Sequence, residues 1–213
     1  MTEHRPPASL DPGPRTTEPP TIAVLARIGG PTARPVLEAS ERLGRLLATK
    51  GFTIAVSGYG ELVGAVGRGA ALAGGRVVGF PVRSWPLEPT PWLTELRWMP
   101  DSYAQCAALG ACPAIVVVGP GPASLAEAAF AWQIGGRRAR LIFVGSGWHH
   151  WLAGLWRWLV PRRSDLATLT VVDDPGAVLG ELGTPAPPWA PTAAGGGRAA
   201  PGSAADPFAG PGR

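Results

Sequence analysis

Six short apolar runs set the rhythm of the chain: TIAVLA at 21–26, FTIAV at 52–56, RVVGFPV at 76–82, AIVVV at 114–118, RLIFV at 140–144 and LTVV at 169–172. They are continuous rather than alternating, the pattern of strands covered on both faces. Between them the period changes. From 35 to 50, Val36, Ala39, Leu43, Leu46 and Leu47 recur at helical spacing, with Glu38 and Glu41 early, Arg45 and Lys50 late, and Gly51 to stop the helix. Helices are also predicted at 62–73, about 101–109, from Ser124 onward, at 148–159, and after Asp173-Asp174-Pro175. Strand and helix alternate throughout. The predicted fold class is therefore α/β, a single doubly wound Rossmann-like parallel sheet with right-handed crossovers.

The helix at 62–73 carries Gly64, Gly67 and Gly69, each costing about 1 kcal/mol against alanine, so close packing against a neighbour is expected there. The stretch 83–100 has Pro86, Pro89 and Pro91 and three tryptophans, Trp85, Trp92 and Trp98. A long aromatic loop of this kind usually folds over something.

Composition narrows the picture. Of 213 residues 46% are hydrophobic, enough for a sizeable core, but both ends are rich in Pro and Gly. The expected organisation is a disordered tail at 1–20, one Rossmann-like domain at 21–182 and a disordered tail at 183–213. The formal net charge of +4 rests on scattered arginines with no basic run longer than two, which argues against nucleic acid as a partner. Cys106 and Cys112 have neither zinc nor redox spacing and read as buried thiols. The uncharged stretch 102–126 is broken by Pro113, Pro120 and Pro122, so no membrane span is expected, and with no signal-peptide pattern the expected location is the cytoplasm. His149 and His150 are adjacent, which on a helix sends them apart, so no metal site is expected.

Ligands of such sheets bind outside the carboxyl ends of the strands. The loops there are Gly29-Gly30, Gly58-Tyr59-Gly60, Gly119-Pro120-Gly121 and Gly145-Ser146-Gly147, so four turns with paired glycines should gather on one edge. The third leads into a helix whose free N–H groups could hold a phosphate. Ser124 and Glu127 there have the S-x-x-E spacing of a capping box, in which both side chains would serve only the helix end.

Read together, 57–83 (SGYGELVGAVGRGAALAGGRVVGFPVR) and 118–159 resemble the LOG family, the lysine-decarboxylase-like nucleotide-binding proteins of the SLOG superfamily. Gly58, Leu62, Ala65, Gly69, Ala70, Gly74 and Gly75 match its Gly-rich turn, G-L-M-x-A helix and A-G-G segment, and VVDDP resembles its closing turn. Active members of that family hydrolyse the N-glycosidic bond of nucleoside 5′-monophosphates, cytokinin precursors among them, with an R-K pair and the motif P-G-G-x-G-T-x-x-E. On 119–127, Gly121, Ser124 and Glu127 keep the motif's character, whereas Pro120, Pro122 and Ala123 depart from it. The R-K pair falls on Ala104-Gln105 or on Ser102-Tyr103, and no Lys or Arg occurs between Arg97 and Arg137. Glu61 stands where the family has a glycine.

The resemblance therefore implies a divergent, catalytically degenerate nucleotide-binding or sensor module, with no cofactor. Its expected binding residues are Arg27, Gly29, Gly30, Ser57, Gly58, Gly60, Gly121 and Ser124. The alternatives are an active phosphoribohydrolase, with Glu127 as the catalytic carboxylate and Arg27 or Arg97 as the cation, and a purely structural oligomer subunit. A nucleotide or nucleoside monophosphate is the expected partner. A homodimer is also expected, because 148–159 is apolar nearly all round, with Trp148, Trp151, Trp156 and Trp158.

Overall fold

The computed structural model of the chain describes residues 20–29, 32–136, 139–150, 152 and 169–183. Residues 1–19 and 184–213 of the expected tails, Gly30, and the Trp151, Trp156 and Trp158 part of the aromatic run lie outside the described residues, while Gly183 belongs to the last helix. In chain order the elements are β1 (Thr21–Ala26), α1 (Arg34–Thr49), β2 (Thr53–Val56), α2 (Glu61–Leu72), β3 (Val77–Gly79), β4 (Glu95–Leu96), α3 (Ser102–Gly110), β5 (Ala114–Val118), α4 (Pro122–Ile134), β6 (Arg140–Val144), β7 (Leu169–Val172) and α5 (Ala177–Gly183). A helical segment also begins at 147–150.

The strands form one seven-stranded parallel sheet in the order β4-β3-β2-β1-β5-β6-β7. Register places Val24 between Val56 and Val116, so the central strands meet apolar to apolar. Because successive side chains point to opposite faces, each strand feeds two cores. Ile22, Val24, Ile54 and Val116 pack under α1, α2 and α5, through Leu43, Leu47, Leu62, Val66 and Val178. Ala23, Leu25, Ile115, Val117 and Phe143 pack under α3 and α4, with Leu109, Ala128 and Trp132. The expected doubly wound architecture is what the chain adopts. Among the described residues no helix is long and apolar enough to cross a membrane.

The glycines of α2 are explained by contact. A Cβ on Gly69 would collide with the Glu41 carbonyl of α1, and one on Gly67 would lie 2.8 Å from Trp92 Cβ. The loop after β3 thus folds over α2, and Thr90 N–H donates to the Gly58 carbonyl at 2.9 Å. Two details differ from the sequence reading. β3 is shorter than 76–82, because Pro81 has no N–H for the ladder, and pairing resumes only as a bridge between Val82 and Met99. The same loop contributes the two-residue edge strand β4, which its irregular sequence did not announce.

Candidate functional site at the β1–β5 switch point

β1 lies between β2 and β5, and the chain leaves β1 through α1 on one face of the sheet but leaves β5 through α4 on the other. The carboxyl ends of β1 and β5 therefore open a crevice, the place where such sheets take ligands. The four paired-glycine turns do follow the adjacent strands β2, β1, β5 and β6.

The turn after β5 is not built as the S-x-x-E pattern suggested. α4 begins at Pro122, its N-cap is Gly121, and no side chain caps it. Proline at the first helical position loses only a donor that would be unpaired anyway, so it starts the helix two residues ahead of Ser124. Ser124 is fully buried and its hydroxyl donates back to the Gly119 carbonyl at 3.0 Å, bracing the turn from below. The N–H groups of Ala123 and Ser124 have no partner among the described residues. This end of the helix is positive and open.

Arg27, just past β1, lies across it. Its Cδ is 3.1 Å from where a Cβ on Gly121 would sit, so glycine at 121 lets the arginine stem approach. One guanidinium nitrogen donates to the Gly29 carbonyl at 3.0 Å and the other to the Thr32 hydroxyl at 3.3 Å. The N-terminus of α2 abuts the same place: Gly60, its N-cap at φ 91, backs onto the Arg27 carbonyl, and Leu62 reaches Gly119. Here the first helical residue is Glu61, which already supplies negative charge to that helix end. Of two converging helix N-termini, only that of α4 is left for an external anion.

Two cavities flank the turn. One, of about 260 Å³, is lined by Arg27, Gly29, Thr32, Tyr59, Glu61 and Glu88, among others. The second, of about 250 Å³, lies toward β6 between α1 and the turns after β5 and β6, with Ser40, Gly119, Pro120, Ser146 and Asp173 in its wall. Of the expected site residues, Arg27, Gly29 and Gly60 line the first cavity, while Gly121 and Ser124 stand at the α4 N-terminus. Ser57 and Gly58 are buried behind the β2 turn and line neither cavity; the Ser57 hydroxyl has no partner among the described residues. Thr32, Tyr59, Leu87 and Glu88 were not foreseen. Leu87 and Glu88 had one sequence signal, the long loop that carries them, and Tyr59 lies in the Gly58-Tyr59-Gly60 turn.

One of the two alignments of the R-K pair puts Gln105 at its second position, and that side chain is already committed. Gln105 of α3 is buried, and its amide donates to the carbonyls of Phe80 at 2.6 Å and Ser57 at 3.4 Å, tying α3 to the ends of β3 and β2. Arg97 lies at the edge of the sheet, its guanidinium 5.9 Å from the centre of the Phe80 ring. It follows β4 and pairs with Glu95 at 2.6 Å.

Glu127 stands in the second turn of α4, partly buried, facing α3. Burial pushes its carboxyl up to about 7, and no hydrogen bond or ion pair among the described residues reaches it. Burial, and after it the Glu127 charge, raises the neighbouring Cys106 thiol to about 11; Cys106 and Cys112 are both buried and free. His149 Nε2 lies 3.2 Å from Asp173 Oδ1 at the exposed end of β7. Trp148 is fully buried against Phe143, ring centroids 4.8 Å apart, so this tryptophan serves its own core and not a partner surface.

No family profile matches the chain, and no curated protein matches it. Solved structures do. The molybdenum cofactor carrier protein from Chlamydomonas reinhardtii superposes with a TM-score of 0.60 at 20% identity, over 77% of this chain and 96% of that one. The molybdenum cofactor binding protein from Rippkaea orientalis gives 0.63 at 16% identity, over 78% and 97%. A structural-genomics target, TM1055, gives 0.61 at 19% identity, over 76% and 98%. Nearly the whole of each of these chains is matched, and at such identities the likeness establishes a shared Rossmann-like fold.

Proposed function

We propose that this chain is a LOG-like binding module that holds a small phosphate-bearing molecule, a nucleotide or nucleotide-derived ligand, at the β1–β5 switch point without cleaving it. One observation carries the reading: the Arg27 stem lies against Gly121 at an α4 N-terminus with no side-chain cap, which brings an arginine to a helix end whose first N–H groups have no partner among the described residues. Pro122 removes one donor from the turn, so the anchor consists of the exposed Ala123 N–H and the guanidinium. The likeness to proteins described as carrying or binding the molybdenum cofactor supports binding without turnover as a use of this fold.

The phosphoribohydrolase reading rests on Glu127. Cleaving a nucleotide N-glycosidic bond builds positive charge on the ribose, which an ionised carboxylate stabilises while a cation anchors the phosphate. Here the carboxylate ionises only near pH 7, and the position beside it on α3 holds no cation. Missing one preorganised partner costs on the order of 10²–10³ in rate.

The reading includes a homodimer. The exposed face of α3 and α4 carries Tyr103 and Phe130, in edge contact at 5.9 Å, and Glu127 is the only full charge on the two helices. Buried free thiols suit the reducing cytoplasm.

The test is calorimetric titration of the full chain with AMP, GMP and inorganic phosphate, beside Arg27→Ala. Binding that the variant loses supports the reading. Absence of binding to any phosphate-bearing probe contradicts it.

A further inference from the structure

Resting on that reading, we infer that the cavity of about 260 Å³ beside Arg27 is a ring subsite selective for a 2-amino-4-oxo pyrimidine edge, as in guanine or a pterin, over an adenine edge. Arg27 is common to the phosphate anchor and to the cavity wall, so a ligand whose phosphate sits at α4 extends its ring past Arg27 into this space. The wall has two characters. Ile28 and Leu87 offer apolar surface for the faces of a flat ring. Glu61 and Glu88 offer acceptors, and neither has a hydrogen bond or ion pair among the described residues.

The two glutamates come from separate elements, the first turn of α2 and the loop that folds over α2. Tyr59 holds the cavity floor in place: its hydroxyl donates to the Val82 carbonyl at 2.9 Å and its ring leans on Trp85 at 5.7 Å. The chemistry then discriminates. A carboxylate only accepts hydrogen bonds, and a guanine-type edge presents two adjacent donors, the ring N–H and the exocyclic amine, which it takes in bidentate fashion. Adenine has an acceptor at the ring nitrogen, which a carboxylate repels. Hypoxanthine keeps the ring N–H but lacks the amine. The expected order is GMP, then IMP, then AMP, because a carboxylate finds two donors on the first edge, one on the second and a facing acceptor on the third.

The experiment is titration calorimetry of the full chain with GMP, IMP, AMP and a 6-alkylpterin phosphate, repeated on Glu61→Gln, Glu88→Gln and Arg27→Ala. GMP should bind at least about 10-fold more tightly than AMP, with IMP between. An amide both donates and accepts, so each glutamine variant should narrow the GMP/AMP ratio several-fold. Arg27→Ala should weaken all ligands together. A pterin phosphate that binds more tightly than GMP assigns the ring to a pterin, and the reverse assigns it to a guanine nucleotide; both keep the inference. Equal affinity for GMP and AMP, unchanged by either glutamine variant, overturns the inference and leaves phosphate binding standing. No binding by any ligand overturns both. Both glutamates are exposed, so the substitutions leave the core intact.

Discussion

The side-chain amide of Gln105 donates a 2.6 Å hydrogen bond to the main-chain carbonyl of Phe80, which commits one of the two positions onto which the resemblance can place its catalytic pair. The amide bridges α3 to the ends of β3 and β2 in a buried site, so it is part of the frame and not free for a ligand. Gln105→Ala should cost about 1–3 kcal/mol, since it leaves a buried carbonyl without its donor. Urea denaturation of the two proteins measures this; a change below a few tenths of a kcal/mol would mean that water replaces the amide at no cost.

The α1–α2 interface depends on backbone-to-backbone approach. A Cβ at Gly69 meets the Glu41 carbonyl, and one at Gly44 meets the Val66 carbonyl. Neither obstacle is a flexible side-chain end, so Gly69→Ala should destabilise by at least about 2 kcal/mol despite alanine's better helix propensity. A Tm unchanged or raised in Gly69→Ala would show that the helices can part without penalty.

Glu127 gives a pH signature. Its carboxyl is raised by burial from the usual 4.5 to about 7, so the fold favours the neutral form. Below pH 4.5 the group is protonated folded or unfolded and contributes nothing. Between 4.5 and 7 stability falls as pH rises, and above 7 the full cost of about 1–3 kcal/mol is present. Glu127→Gln should therefore raise Tm by a few degrees at pH 8 and leave it unchanged at pH 4. Equal effects at both pH values would contradict a burial-shifted carboxyl.

The sheet was legible because its strands are apolar in unbroken runs, and β1, β5, β6 and β7 fall where those runs lie. β4 was not, because Glu95 and Leu96 become a strand only through the open edge of β3, and nothing in their own pattern says so. The start of α4 was misjudged for a related reason. Ser124 and Glu127 have the spacing of a capping box, but Pro122 starts the helix first and turns the serine hydroxyl back onto Gly119. Arg27, Gly29 and Gly60 could be picked out by their position after strands. Leu87 and Glu88 reach the same cavity from a loop that crosses α2, a relation set by Gly64 and Gly67 rather than by anything local to 87 and 88.

Binding without cleavage is checked by following the release of free base from AMP and GMP chromatographically, with the full chain at saturating nucleotide. No release above the uncatalysed background is expected from nucleotides that the same preparation binds. Steady turnover that Glu127→Ala abolishes would contradict it and make the chain a phosphoribohydrolase.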